Sequence, residues 1–385
     1  MISFEQALPL SLYIHIPWCV RKCPYCDFNS HEARQNIPEE QYVATLIRDL
    51  EQSVPQVWGR RIHSIFFGGG TPSLFSAEAI DKILSNVRAL LPLEYEAEIT
   101  LEANPGTVEA AKFAGFRDAG VNRLSLGIQS FNDQHLKALG RIHDAREAHR
   151  AVELALATFD NVNLDLMYAL PGQTQEQALT DMRAALGYQP QHLSAYHLTI
   201  EPNTPFHRTP PLLPDDDTSA TMQEMLEQEL AEHGYGHYET SAFSVKGRRC
   251  RHNLNYWQFG DYLGIGAGAH GKLSFHDKAL RQARPKHPNA YLKAVEAGNG
   301  AEQEWEVTRQ DIGFEFMMNA LRLTDGFPVA LFQQRTGLPI SVVDTALNQA
   351  EARGLLTRDH LEIKPTRQGQ RFLNELLQMF LPEPL

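Results

Sequence analysis

Apolar residues in the first 200 positions come in short runs, each followed by a longer stretch in which they recur every three or four residues. The runs Leu12–Ile16, Ser64–Phe67, Glu98–Glu102, Arg123–Gly127, Asn163–Met167 and Leu193–Leu198 have the length of buried strands. The stretches near 39–54, 76–91, 107–119, 143–158 and 174–187 have amphipathic helical spacing. Ser76 and Thr107 stand at N-cap positions, and Pro72 and Pro105 punctuate the turns before them. This alternation predicts an α/β fold, a parallel sheet with crossover helices. Six strands are too few for a closed eight-fold barrel, so residues 1–200 are expected to form a partial (β/α)6 barrel, open on one side. Sites in such sheets gather at the C-terminal ends of the strands.

Beyond residue 200 the pattern changes. A proline-rich stretch, EPNTPFHRTPPLLP, leads into Asp215, Asp216 and Asp217, which read as the N-cap and solvated first turn of a helix over 218–233. Residues 201–304 are expected to connect two domains, with 237–300 largely irregular. From about 305 the chain shows short helices, a small hairpin within Gly354–Pro365 and a last helix. This predicts a mainly helical C-terminal domain, 305–385, of winged-helix-like pattern. It has no obvious basic recognition helix and reads as a packing or partner domain.

The 385-residue chain carries 43% hydrophobic and 21% charged residues and a net charge of −12. That charge argues against a nucleic-acid partner, which favours a basic face. No run approaches the roughly 20 apolar residues of a membrane span, and the N-terminus lacks the basic region of a signal peptide. The expected location is the cytoplasm.

Only four cysteines occur, and Cys19, Cys23 and Cys26 fall within the eight residues CVRKCPYC directly after the first strand. Such clustering points to a metal rather than to a disulfide framework. Thiolates suit zinc or an iron–sulfur cluster. Zinc normally takes a fourth tight ligand, and Cys250 is remote in sequence. Three thiolates on a 4Fe–4S cluster leave one iron open to a substrate or cofactor. Other strand ends are polar or glycine-rich: Gly68–Pro72 after the second, Glu102 on the third, Gln129 on the fourth and Asp165 in the fifth. Each alone reads as a turn or a helix cap; together, on one rim beside the cysteine loop, they form a cofactor pocket.

The cysteine spacing and its position resemble the radical S-adenosylmethionine (SAM) superfamily. There, SAM chelates the open iron through its amine and carboxylate, and the reduced cluster cleaves it to a 5′-deoxyadenosyl radical. The segments YIHIPWC, GGGTPS, EANPG, LGIQSF, LGRIH, NLDLMYALPGQT and HNLNYW resemble the coproporphyrinogen dehydrogenase-like family over nearly the whole chain. The resemblance implies SAM contacts at Tyr13, Gly69, Gly70, Thr71, Glu102, Gln129, Arg141 and Asp165. Charge complementarity gives Glu102 and Asp165 the amine and ribose hydroxyls and Arg141 a carboxylate. Tyr25, beside Cys26, reads as a neighbour of the adenine or as a core aromatic.

Two branches of this family differ here. The oxygen-independent coproporphyrinogen III oxidases carry a further cysteine two residues after the third ligand, where this chain has Phe28, and a longer segment ahead of the cysteines. His252-Asn253-Leu254-Asn255-Tyr256-Trp257 matches the HNxxYW motif of the HemW-like heme chaperones. A neutral imidazole is a common heme ligand, and Tyr256 and Trp257 offer flat apolar faces with polar edges. The resemblance therefore implies heme, bound at His252, Asn253, Tyr256 and Trp257, and a heme-acceptor protein, a respiratory complex among the candidates. His252 also has a plain structural reading, as a hydrogen-bonded core histidine. The alternatives are coproporphyrinogen III decarboxylation, disfavoured by Phe28, and a radical SAM reaction on another substrate. In GIGAGAH (264–270) the glycines read as close packing, because no opening βαβ unit supports a dinucleotide site.

Overall fold

The computed structural model describes residues 2–33, 36–107 and 110–382, without the side chains of 107–111. The expected cap at Thr107 lies outside the described side chains. Strands β1 (Leu10–Ile16), β2 (Ile62–Gly69), β3 (Leu93–Ala103), β4 (Arg123–Gln129), β5 (Val162–Tyr168) and β6 (His192–His197) run parallel, each beside the next. Between and after them come α1 (Glu39–Ser53), α2 (Ala77–Leu90), α3 (Ala110–Ala119), α4 (Ala145–Thr158), α5 (Gln175–Gly187) and α6 (Asp216–Glu232). The expected six-unit parallel barrel is present, and each of its strands overlaps the expected run.

Local chemistry sets the helix starts. Ser76 Oγ accepts the Ala79 amide at 3.1 Å, and Asp144/Glu147 and Thr174/Gln177 form capping boxes. Asp215 accepts the Thr218 amide at 2.7 Å, so the aspartate run is a cap and first turn, as expected.

The region 237–300 is not irregular. Strands β7 (Gly236–Glu239) and β8 (Ala242–Ser244) add an antiparallel hairpin to β6. A short helix, α7 (Arg251–Trp257), leads into β9 (Asp261–Ile265), which pairs parallel with β1. Strands β10 (His270–Ser274) and β11 (Ala279–Ala283), helix α8 (Pro288–Glu296) and strand β12 (Gln303–Glu306) complete that side. The twelve-stranded sheet has the order β12-β11-β10-β9-β1-β2-β3-β4-β5-β6-β8-β7. These later strands escaped the hydrophobic pattern because they are short and bury polar residues such as Asp261, Lys272 and Gln282.

The two faces of the parallel strands differ. Leu12, Ile14, Ile65, Phe67, Leu101, Leu126 and Leu164 form one core with Leu46, Ile80, Phe113 and Met182 of the helices. Because alternate residues point to opposite faces, Ser11, Tyr13, Ser64, Glu98, Thr100, Glu102, Arg123, Ser125, Asn163, Asp165, His192 and Ser194 turn into the barrel.

The C-terminal region holds α9 (Arg309–Ala320), β13 (Phe327–Pro328), α10 (Val329–Thr336), α11 (Asp344–Ala352), β14 (Leu356–Arg358) and β15 (Glu362–Pro365). Its three-stranded sheet has the order β13-β15-β14 and contains the expected hairpin. Ile2, Phe4 and Leu8 enter its core beside Phe316, Phe332 and Leu347, so the two ends of the chain pack together.

Where barrel and C-terminal region meet, Asp261 (0% exposed) binds Lys272 at 2.9 Å and Arg60 at 2.8 Å. Replacing one member of a buried ion pair leaves the other charge uncompensated. Asp261→Asn is therefore expected to lower unfolding stability by about 3–5 kcal/mol, measured by denaturant titration, and Asp261→Asn with Lys272→Met to recover part of that loss.

Candidate cluster and cofactor site

A cavity of about 370 Å³ opens at the C-terminal ends of β1–β6. Its lining includes Cys19, Cys23, Cys26, Tyr25, Gly69, Gly70, Thr71, Glu102, Gln129, Arg141 and Asp165, together with Asn253 from α7. The barrel thus brings together residues 234 positions apart in the chain, Cys19 to Asn253. Tyr13 lies behind this lining, its hydroxyl 3.0 Å from His15 Nδ1.

The cysteine loop is closed by a two-residue parallel pairing of Trp18–Cys19 with His31–Glu32. Within it the Cys26 amide donates to Cys23 O at 3.1 Å. Arg141 Nη1 stands 3.5 Å from Cys23 Sγ, Ser30 Oγ is 3.9 Å from Cys26 Sγ, and Thr71 and Ser30 hydrogen-bond Cys19. Burial pushes the Cys19 and Cys26 thiols above their ordinary range. A set of three soft donors around one cavity mouth suits a 4Fe–4S cluster with an open iron.

Behind the loop, His15 Nε2 bonds Asn29 O at 2.8 Å, and Asn29 Nδ2 donates to Ala267 O and Lys286 O at 3.0 and 2.9 Å. His15 is a satisfied structural histidine, held mostly neutral by burial, which lowers it to about 4. The GIGAGAH glycines serve this contact. A Cβ on Gly266 would fall 2.4 Å from His15 O, and one on Gly268 2.2 Å from Asn29 Nδ2.

On the second strand end, the Gly70 amide donates to Ile16 O at 2.8 Å and the Thr71 amide to Trp18 O at 2.7 Å. Gly69 has φ +115° and donates its amide to Glu102. Burial, and then the neighbouring Asp165, push Glu102 up to about 8. Asp165 is also raised by burial, against hydrogen bonds from Asn163 (2.8 Å) and Ser125 (3.0 Å). Gln129 ends β4 with φ 68°, a strained backbone of the kind that collects at ligand sites. Arg141 donates to Gly127 O at 2.9 Å and to Asn104, while its buried Nε has no partner. Two buried carboxyls, an under-satisfied guanidinium and a glycine cradle fit a zwitterionic, ribose-bearing ligand such as SAM.

The HNLNYW motif makes up all of α7 after Arg251, not an irregular segment, and its residues part company. His252, 9% exposed, sets Nδ1 3.1 Å from Ser64 Oγ, and its ring lies tilted 5.0 Å from that of Phe66. Burial lowers it to about 3, so it is neutral. Asn253 faces the cavity. Tyr256, 38% exposed, lies 5.2 Å from the Tyr262 ring, and Trp257 sits under the Arg322 guanidinium at 5.1 Å with its Nε1 unpartnered. Cys250 is buried, with Sγ 3.4 Å from Glu98 Oε1, and burial raises it to about 12. Phe28 is 64% exposed at the cavity mouth.

The sequence reading missed the cavity's buried lining, Arg123, Ser125, Asn163, His192 and Ser194, and Tyr196 at its rim. A signal was present, since these are the alternate polar positions of otherwise apolar strands.

An open parallel barrel with its cofactor cavity beside a three-cysteine loop is the architecture of the radical SAM proteins, and the Radical SAM superfamily pattern matches residues 13–185. The HemN C-terminal domain pattern matches 307–372. The heme chaperone HemW of Escherichia coli (strain K12) is 50% identical over 379 residues, covering 97% of this chain and 99% of that protein. Heme chaperone HemW of Haemophilus influenzae is 50% identical over 381 residues (97% and 98%), and that of Bacillus subtilis (strain 168) 33% over 381 (97% and 99%). The chain belongs to the HemW family of radical SAM proteins. The solved structure of coproporphyrinogen III oxidase (HemN) from Escherichia coli superposes with a TM-score of 0.82 at 23% identity, over 97% of this chain and 90% of that one. It shares the fold.

Glu102 makes the SAM-free protein pH-sensitive. Its folded value, about 8, lies above the ordinary 4.5, so its stabilising protonation is complete below about 4.5 and is lost as pH rises through about 8. Thermal melts of the SAM-free protein across this range are expected to fall with rising pH, and the fall to shrink in Glu102→Gln; an equal slope in both would refute this assignment.

Proposed function

We propose that the chain is a heme chaperone: it binds heme and passes it to an acceptor protein, and it carries a 4Fe–4S cluster on Cys19, Cys23 and Cys26 with SAM beside it. The observation that carries this reading is that the HNLNYW segment forms part of the wall of the cluster cavity, through Asn253. The curated relatives named heme chaperone HemW support it.

When bound, the cluster and SAM supply reductive cleavage chemistry. The chain's own residues hold and orient. Glu102, raised to about 8 by burial and the neighbouring Asp165, would give up its proton to solvent and accept a hydrogen bond from the SAM ammonium. Asp165 takes the ribose hydroxyls, Arg141 the carboxylate, and Gly69, Gly70 and Thr71 offer backbone that a ligand can approach closely. Gln129 and Tyr25 flank the adenine, and Tyr13 braces β1 behind the cluster. At the heme site, His252 supplies a neutral imidazole and Tyr256 and Trp257 the flat faces, with Asn253 between the two sites. SAM occupancy gates the transfer. Three thiolates that must remain reduced suit the cytoplasm, and a respiratory complex is a fitting acceptor.

A second reading rests on the polar rim, where the exposed Tyr196 and His197 and the half-buried Glu201 border the cavity. That space suits a small polar substrate of a radical reaction. Substrate-dependent release of 5′-deoxyadenosine without heme binding would favour it.

The deciding experiment is an anaerobic hemin titration of the reconstituted protein, followed by visible absorption. The expected result is a saturable Soret shift at about one heme per chain, altered or weakened in His252→Ala. No saturable binding by the wild type would remove the chaperone reading. Separately, Cys23→Ala is expected to abolish the cluster absorbance and most bound iron; an unchanged spectrum would refute that ligand.

A further inference from the structure

We propose that Glu98 is the positioning residue that latches the motif helix α7 over His252, and that heme ligation by His252 requires this latch to open. The proposal rests on the heme reading above.

A helix of seven residues has few internal hydrogen bonds and takes its position from what it touches. Cys250 occupies the N-cap of α7 but makes no capping bond from its side chain to a helix amide. The orphan amides are met from β3 instead. Glu98 accepts the Arg251 amide at 3.1 Å on Oε2 and the His252 amide at 3.1 Å on Oε1, and the Cys250 thiol lies 3.4 Å from Oε1. A buried carboxylate at a helix start also meets the positive end of the helix dipole. One side chain thus holds the first turn.

The same turn hides the heme ligand. His252 Nδ1 is engaged by Ser64 Oγ, Ser64 by Ser11 at 2.8 Å, and Ser11 by Asn255 at 2.9 Å. The imidazole can meet a macrocycle only after α7 has moved. The displaced carboxylate has somewhere to go: Arg123, 2% exposed and electrostatically coupled to Glu98, keeps its Nε unpartnered. Two arrangements of Glu98, on α7 or on Arg123, make a bistable element.

The latch also faces the cofactor cavity. Asn253 borders that cavity in the latched position. From its rim a hydrogen-bonded chain runs Asp165–Asn163–His192–Tyr238, at 2.8, 2.6 and 2.7 Å, to the Cys250 amide at 3.2 Å. A ligand filling the cavity contacts the latched helix and favours it, so SAM and heme oppose each other, reciprocally.

The test uses cluster-loaded protein under anaerobic conditions. Hemin is titrated into wild type, Glu98→Gln, Ser64→Ala and Glu98→Gln/His252→Ala. Glu98→Gln and Ser64→Ala are expected to bind hemin about fivefold tighter or more, and the double variant to lose the gain. If wild-type binding depends on His252 and neither single variant binds tighter, the latch is wrong and the heme reading stands. If wild-type binding is absent or indifferent to His252, both fall. Hydrogen exchange on the wild type gives a measurement independent of the variants' folding. Amides of 251–257 are expected to exchange faster with hemin and slower with SAM; exchange unchanged by hemin would overturn the proposal.

Discussion

The structure turns on one constraint: the inner face of its parallel sheet is polar and must find partners. Helices seal the outer face with an apolar core, as in any α/β barrel. The inner face carries carboxylates, amides, hydroxyls and a guanidinium, and leaving such groups buried and unpaired costs on the order of 1–3 kcal/mol each. An open barrel cannot satisfy them alone. Near the floor α7 supplies amide donors to Glu98 and an imidazole partner to Ser64. Near the mouth Glu102, Arg141 and Asp165 await a ligand of matching polarity.

This division places two kinds of electrostatics in one cavity. Beneath the floor the carboxylate of Glu98 is met by amides, and the Asn163–His192–Tyr238 network runs through neutral groups to Asp165. At the mouth burial and the neighbouring Asp165 raise Glu102 to about 8, so it keeps a proton that a cationic ligand would displace. The Tyr256 and Trp257 rings stand outside both, against Tyr262 and Arg322.

The barrel was legible in the sequence because its helices are amphipathic and its strands apolar on one face, which gives clear periods. Cys19, Cys23 and Cys26 were legible as one site from spacing alone, while Glu102, Gln129 and Asp165 needed the strand-end rule to be joined to them. Strands β9 to β11 were not legible: they bury Asp261, Lys272 and Gln282 in ion pairs and amide contacts, which a hydrophobic pattern reads as loop. The partners of His252 were hidden for the same reason, since Ser64 and Phe66 lie nearly 190 positions earlier. Arg123 and His192 passed unnoticed as ordinary strand residues because only the closed register shows where they point.

Asn29 carries a consequence for how the protein is made. Its side-chain amide, which braces the cysteine loop from behind, donates to the carbonyls of Ala267 and Lys286. A nascent chain released at about 5–20 residues per second exposes the three cysteines long before those carbonyls exist, an interval on the order of tens of seconds. The loop therefore spends its first moments unbraced, and cofactor insertion belongs after synthesis, when the far edge of the sheet has closed on β1.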